Sequence, residues 1–103
     1  MMWQSRQFGF ADDHPTAAGH FPSNPIIPGA LMLDEVVMAI AGEDHDAEVV
    51  IRTAKFLHPI HPGEHVDLRW QKLPGGAIKF ECRLAGHSKP AMTGTIEISP
   101  VTQ

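Results

Sequence analysis

Two residues of this 103-residue chain have the type and setting for proton transfer: His20, in a proline-rich stretch, and Asp34, fourteen residues later in an apolar run. An imidazole titrates near neutrality and can take a proton from a weakly acidic carbon. A carboxyl can give one only if its surroundings keep it neutral. Asp34 has Leu31, Leu33, Val37 and Met38 around it in sequence, and loss of water in such a setting favours the neutral acid. Gly29 lies between the two, at the expected start of a helix, where free N–H groups can hold a developing oxyanion. With no side chain, it leaves the backbone open to an approaching group. This set suits paired acid–base chemistry beside a carbonyl. That chemistry needs no metal and no organic cofactor.

The elements that must position these groups are legible. Residues 11–29 are dense in Pro, Gly, Asp, Ser and Asn, and Pro15, Pro22, Pro25 and Pro28 bias their predecessors away from helix. This stretch is expected as loop, and a loop so long in a small domain is usually functional. Pro28 suits an early helical position. From Gly29 to Ala41 the chain reads GALMLDEVVMAIA, a helix apolar nearly all round, hence expected to be buried on most sides, with Gly42 as its stop. Period-two alternation marks strands over His65–Leu73 and Ala77–Ala85, joined by a Pro74-Gly75-Gly76 turn. Glu48–Phe56, Ala91–Ile98 and, more weakly, Trp3–Phe10 read as further strands. One helix and short turns call for a mainly antiparallel sheet, in an α+β domain spanning residues 1–103.

The segment GHFPSNPIIPGALMLDEV, Gly19–Val36, resembles the active-site segment of 3-hydroxyacyl-acyl-carrier-protein dehydratases, with His20, Phe21, Pro22, Pro25, Pro28 and Gly29 in register and an acid on the following helix. Ala54–Gly63 is similar to that family's strand ending in F-x-x-P-x-x-P-G. The wording GALMLDEV looks especially like the short aryl-polyene-type dehydratases. The resemblance implies a hotdog fold, a curved antiparallel sheet wrapped around one central helix. It also implies removal of water from 3-hydroxyacyl thioesters to give 2-enoyl thioesters. His20 and Asp34 would be catalytic, and Gly29, Phe21 and Pro28 would bind substrate or oxyanion. The partner implied is acyl carrier protein with its phosphopantetheine-linked acyl chain. The assembly implied is a homodimer or higher oligomer in which His and acid meet from different subunits. Two departures stand out: the family's extra N-terminal helical segment is absent, and Met38 occupies a position where many members carry Gln. A hotdog thioesterase and a non-catalytic acyl-binding subunit are the alternatives.

Composition narrows the classes further. Eight Lys and Arg against twelve Asp and Glu give a net charge of -4, against nucleic acid as partner. The longest apolar run is broken by Pro28, Asp34 and Glu35, so no membrane span is expected and a cytoplasmic location is. Cys82 is the sole cysteine and alternates with Phe80 and Leu84, a core position rather than a nucleophile's. Glu35 is expected at a solvated or paired edge, and His58, His61 and His65 as turn residues rather than metal ligands. His14, His45 and His87 are expected in loops, and Lys55, Arg69 and Arg83 as solvated charges.

Overall fold

The computed structural model describes residues 2–10, 26–42 and 47–100. Within them the order is β1 (Gln4–Gly9), α1 (Gly29–Ala41), β2 (Ala47–Phe56), β3 (His65–Lys72), β4 (Ile78–Leu84) and β5 (Pro90–Pro100). Every element expected from sequence is present, with ends displaced by two residues or fewer. The five strands form one sheet in the order β1-β3-β4-β5-β2, and every pairing is antiparallel.

Alternation decides which face of the sheet meets the helix. Val66 and Leu68 of β3, Phe80 and Cys82 of β4, and Met92 and Ile96 of β5 are almost wholly buried on one face. Trp70 and Ile78 pack partly buried against this core. The other face carries Arg69, Glu81 and Arg83, with Arg69 Nη2 donating to Glu81 at 2.9 Å and Arg83 Nη2 donating to it at 3.1 Å. Arg69 also lies over the Trp3 ring, 4.3 Å from its centroid, a favourable cation–π geometry. These two arginines are thus engaged by an acid and a ring, more than the solvated charges expected of them.

The helix starts after Pro28, whose φ of -59° and ψ of 144° place it outside the helix, and no side chain caps that end. It stops where Gly42, at φ 70°, turns and donates its N–H to Met38 O at 2.9 Å. Only Met32 and Val36, one turn apart, are buried. This corrects the expectation of a helix buried on most sides. A single sheet fully covers a single stripe: Leu31, Leu33, Ala39 and Ile40 are only partly buried against the core, and Ala30, Asp34 and Met38 are exposed on the other side.

Gly94 shows how closely the sheet is packed at its centre. A Cβ there would stand 2.5–2.7 Å from the Phe80 ring and overlap the Thr53 carbonyl oxygen. Backbone cannot swing aside as a side chain can. Gly94→Ala is therefore expected to lose about 3 kcal/mol of stability, the upper end of ordinary overpacking, as measured by denaturant unfolding. A change within experimental error would show that the β2–β5 pair can separate freely.

The Glu81 cluster generates a pH dependence. Burial opposes ionisation of Glu81, but hydrogen bonds and positive charge from Arg69 and Arg83 outweigh it and hold the carboxyl below its ordinary 4.5. With the folded value depressed, the stabilisation is present above about pH 4.5 and is lost as pH falls through the lower, folded value. Unfolding midpoints measured down the acid range should fall more steeply for the natural chain than for Glu81→Gln. Parallel acid limbs would show that Glu81 is not a stabilising carboxylate.

Candidate active site

The site is built where the loop entering α1 meets the end of β2. Ile27 donates its backbone N–H to Ile60 O at 2.8 Å, and both side chains are buried, 5% and 3% exposed. On the other side, Leu57 and His58 both donate to Ala91 O, at 2.8 and 3.2 Å. These ties fix the chain after β2 between the helix entrance and β5. They leave a cavity of about 450 Å³, walled by Ile26, Gly29, Met32, Phe56, Ile60 and Met92 among others. Its walls are chiefly apolar and its size is that of a small-ligand site.

Gly29 is the first helical residue and lines this cavity. Its amide and that of Ala30 lie in the first turn, where helix geometry supplies no acceptor. The amides of Leu31 and Met32 turn back to Pro28 O at 3.0 and 3.3 Å. The outermost donors of α1 thus start at an apolar hollow, a setting that strengthens a hydrogen bond to an oxyanion. Gly29 has a second reason to be glycine. A Cβ on it would lie 2.8 Å from Phe56 Cε1 and Cζ. The open backbone expected at Gly29 is therefore packed against a ring of its own chain. Pro28 is half-buried at the helix entrance.

Asp34 is exposed in the single chain. It lies two residues from each of Met32 and Val36, about 200° round the helix from either, so it points away from the sheet. Met38, four residues on, shares that outward face and is 55% exposed. The expected desolvation of Asp34 by its helical neighbours is thus not supplied by this chain, because those neighbours flank it without roofing it. Glu35 is half-buried. His20 and Phe21, with His14 and His45, lie outside the described residues. The structure therefore brings together the helix start and the apolar cavity, and leaves the approach of His20 to Asp34 outside what is described.

Other candidates fall into simpler roles. Cys82 is fully buried, and burial followed by the nearby Glu81 charge pushes its thiol up to about 12. A thiol in that state is a core residue, as the alternation required. His61 meets Glu64, its Nδ1 3.1 Å from Oε1, while Glu64 also accepts from the His61 backbone N–H at 2.7 Å. Among the described residues, no three His, Cys, Asp or Glu converge as a metal would need. His58 was expected to be a turn residue. It is exposed but also lines the cavity. Phe56, Leu57 and Ile60 line it too, and sequence reasoning named none of them for the site. The signal was present in the F-x-x-P-x-x-P-G likeness of Ala54–Gly63, whose apolar members were not followed to the cavity.

Comparison with known proteins agrees with this arrangement. Residues 4–95 match the family model of ApeI-like proteins, described as ApeI dehydratase. A 3-hydroxyacyl-[acyl-carrier-protein] dehydratase FabZ of Paracidovorax citrulli (strain AAC00-1) is 32% identical over 82 residues, 66% of this chain and 56% of the relative. The chain thus spans little more than half the length of that curated relative. Among solved structures, an uncharacterized protein from Erwinia carotovora subsp. atroseptica superposes with a TM-score of 0.77 at 24% identity, covering 98% of this chain and 86% of the other. The dehydratase heterocomplex ApeI:P from Xenorhabdus doucetiae gives a TM-score of 0.72 at 22% identity, covering 93% and 86%. At these identities the structural likeness establishes the fold, a hotdog arrangement of one helix on an antiparallel sheet. With the family model matched along residues 4–95, the chain belongs to the ApeI-like dehydratase family.

Proposed function

We propose that this chain removes water from 3-hydroxyacyl thioesters carried on acyl carrier protein, giving 2-enoyl thioesters. The observation that carries the proposal is the start of α1 at Gly29, which lines an apolar cavity together with Phe56, Ile60 and Met92. An acyl chain in that cavity would bring its thioester carbonyl to the helix start, where the amides stabilise the enolate-like oxygen. His20 takes the proton from the carbon beside the carbonyl. Asp34 protonates the departing hydroxyl. Pro28 and Phe21 shape the entrance. The proposal includes a cytoplasmic location.

Asp34 can serve as acid only if something dries it, and the described residues do not. A second copy would. The exposed face of α1 carries Asp34 and Met38, and β2 is an edge of the sheet with Ile51 and Phe56, and Leu57 just after it, 45–53% exposed. A ten-residue edge strand bearing exposed apolar groups is a surface that proteins ordinarily cover. Pairing of two such edges about a two-fold axis extends both sheets and buries the same patch on each subunit. In that homodimer, Asp34 of one subunit and His20 of the other share a site.

The test follows the water. A 3-hydroxyacyl carrier protein incubated with the chain should lose one water by mass, and 2-enoyl thioester should gain one. Release of free acid would instead identify a thioesterase, and an unchanged but bound substrate an acyl-binding subunit. His20→Ala should abolish dehydration and leave the oligomer intact, with Asp34→Asn nearly as damaging because an amide cannot transfer the proton. Mixing and refolding the two inactive variants should restore about a quarter of the natural activity, since half the dimers are mixed and each has one intact site. Failure of the mixture to recover would place His20 and Asp34 of one site in the same subunit.

A further inference from the structure

A second hollow, of about 430 Å³, adjoins the first and shares Leu57, His58 and Ala91 with it. Its remaining walls are Leu84, His87, Lys89 and Pro90. The turn between β4 and β5 holds the basic residues in place. His87 donates its backbone N–H to Leu84 O at 2.9 Å, Ala85 donates to His65 O at 3.0 Å, and Gly86 takes φ 84° to close the turn. The His87 and Lys89 side chains are exposed, and no acidic residue lines the hollow among the described residues. On a chain of net charge -4, a recess lined by one lysine and no carboxylate is a local reversal of sign, and its two histidines add hydrogen-bonding nitrogens. The first cavity is apolar and suits an acyl chain. The second is apolar at its base, where Leu84 and Ala91 are buried, and basic at its rim. An arm that is apolar at its acyl end, amide-bearing along its middle and anionic at its far end matches that succession.

We infer that this second hollow receives the phosphate end of a phosphopantetheine arm whose acyl end occupies the neighbouring cavity, with Lys89 and His87 meeting the phosphate. The inference rests on the proposed function for its ligand, and it is independent of where the proton-transfer groups stand. Lys89 acts as a point charge on the phosphate oxygens. His87 donates a hydrogen bond, and His58, on the shared wall, faces the arm as it passes between the hollows.

Calorimetric titration with phosphopantetheine and with pantetheine, which lacks the phosphate, tests it directly. The natural protein should bind phosphopantetheine about tenfold more tightly, the effect of one good hydrogen bond to a charged group. Lys89→Glu should erase that preference, and His87→Ala should reduce it. Both positions are exposed in the turn, and circular dichroism of each variant checks that it is folded. Equal affinities for the two compounds in the natural protein, or a preference surviving in both variants, would overturn the inference. Repeating the titration with coenzyme A and with a phosphopantetheinylated carrier protein identifies which bearer of the phosphate the subsite serves, by whichever affinity Lys89→Glu weakens. Turnover of a 3-hydroxyacyl thioester of N-acetylcysteamine, which has no phosphate, is followed alongside. Its absence would remove the dehydratase reading while the titration still decides the phosphate subsite.

Discussion

A helix laid on a single sheet has two sides and only one cover. In α1 the stripe of Met32 and Val36 satisfies the sheet, and the opposite side carries an acid and an exposed methionine. The proposed chemistry asks for a carboxyl shielded from water. The rest of the molecule can be understood from this mismatch: the described residues set the helix start at an apolar cavity and leave Asp34 exposed on the opposite side of the helix. The apolar edge strand β2 is the natural place for that surface to attach, because its unpaired backbone groups can extend the sheet while its exposed side chains are buried.

The elements were legible in sequence because their signals are local. Alternation of Val66, Leu68 and Trp70 with Asp67, Arg69 and Gln71 fixes both the strand and its inward face. Gly42 and Pro28 mark the helix ends for reasons of backbone geometry alone. What could not be read was how far the helix would be covered. An apolar residue at position 38 looks the same in a sequence whether its cover comes from its own sheet or from another subunit, so a helix apolar nearly all round suggested burial on most sides without saying what would cover it. The same ambiguity holds for Asp34, whose apolar neighbours along the helix flank it without enclosing it in the single chain.

The candidate site was legible in a different proportion. Gly29 was singled out for its open backbone, and it does begin the helix and line the cavity. Its tightest constraint, the Phe56 ring that a Cβ would strike, is a contact between residues far apart in sequence. No local pattern carries it. The same holds for the wall made by Leu57, His58 and Ile60, which depends on hydrogen bonds from the post-β2 segment to Ala91 on one side and from Ile27 on the other. Sequence reasoning finds residues with chemistry in their side chains more readily than residues whose role is to shape the space around that chemistry.

That division explains why the apolar wall matters as much as the acid and base. An amide at a helix start in open water gains little by meeting an oxyanion, since water does the same. If a bound acyl chain displaces the water next to Phe56, Ile60 and Met92, an amide's contribution to holding developing charge grows. The wall in turn depends on the order of the sheet. With β2 at the edge beside β5, the chain leaving β2 must pass over the end of β5, and the ties to Ala91 hold it there. A single enclosing surface over that edge would complete both the hydrophobic packing and the dry setting that Asp34 lacks.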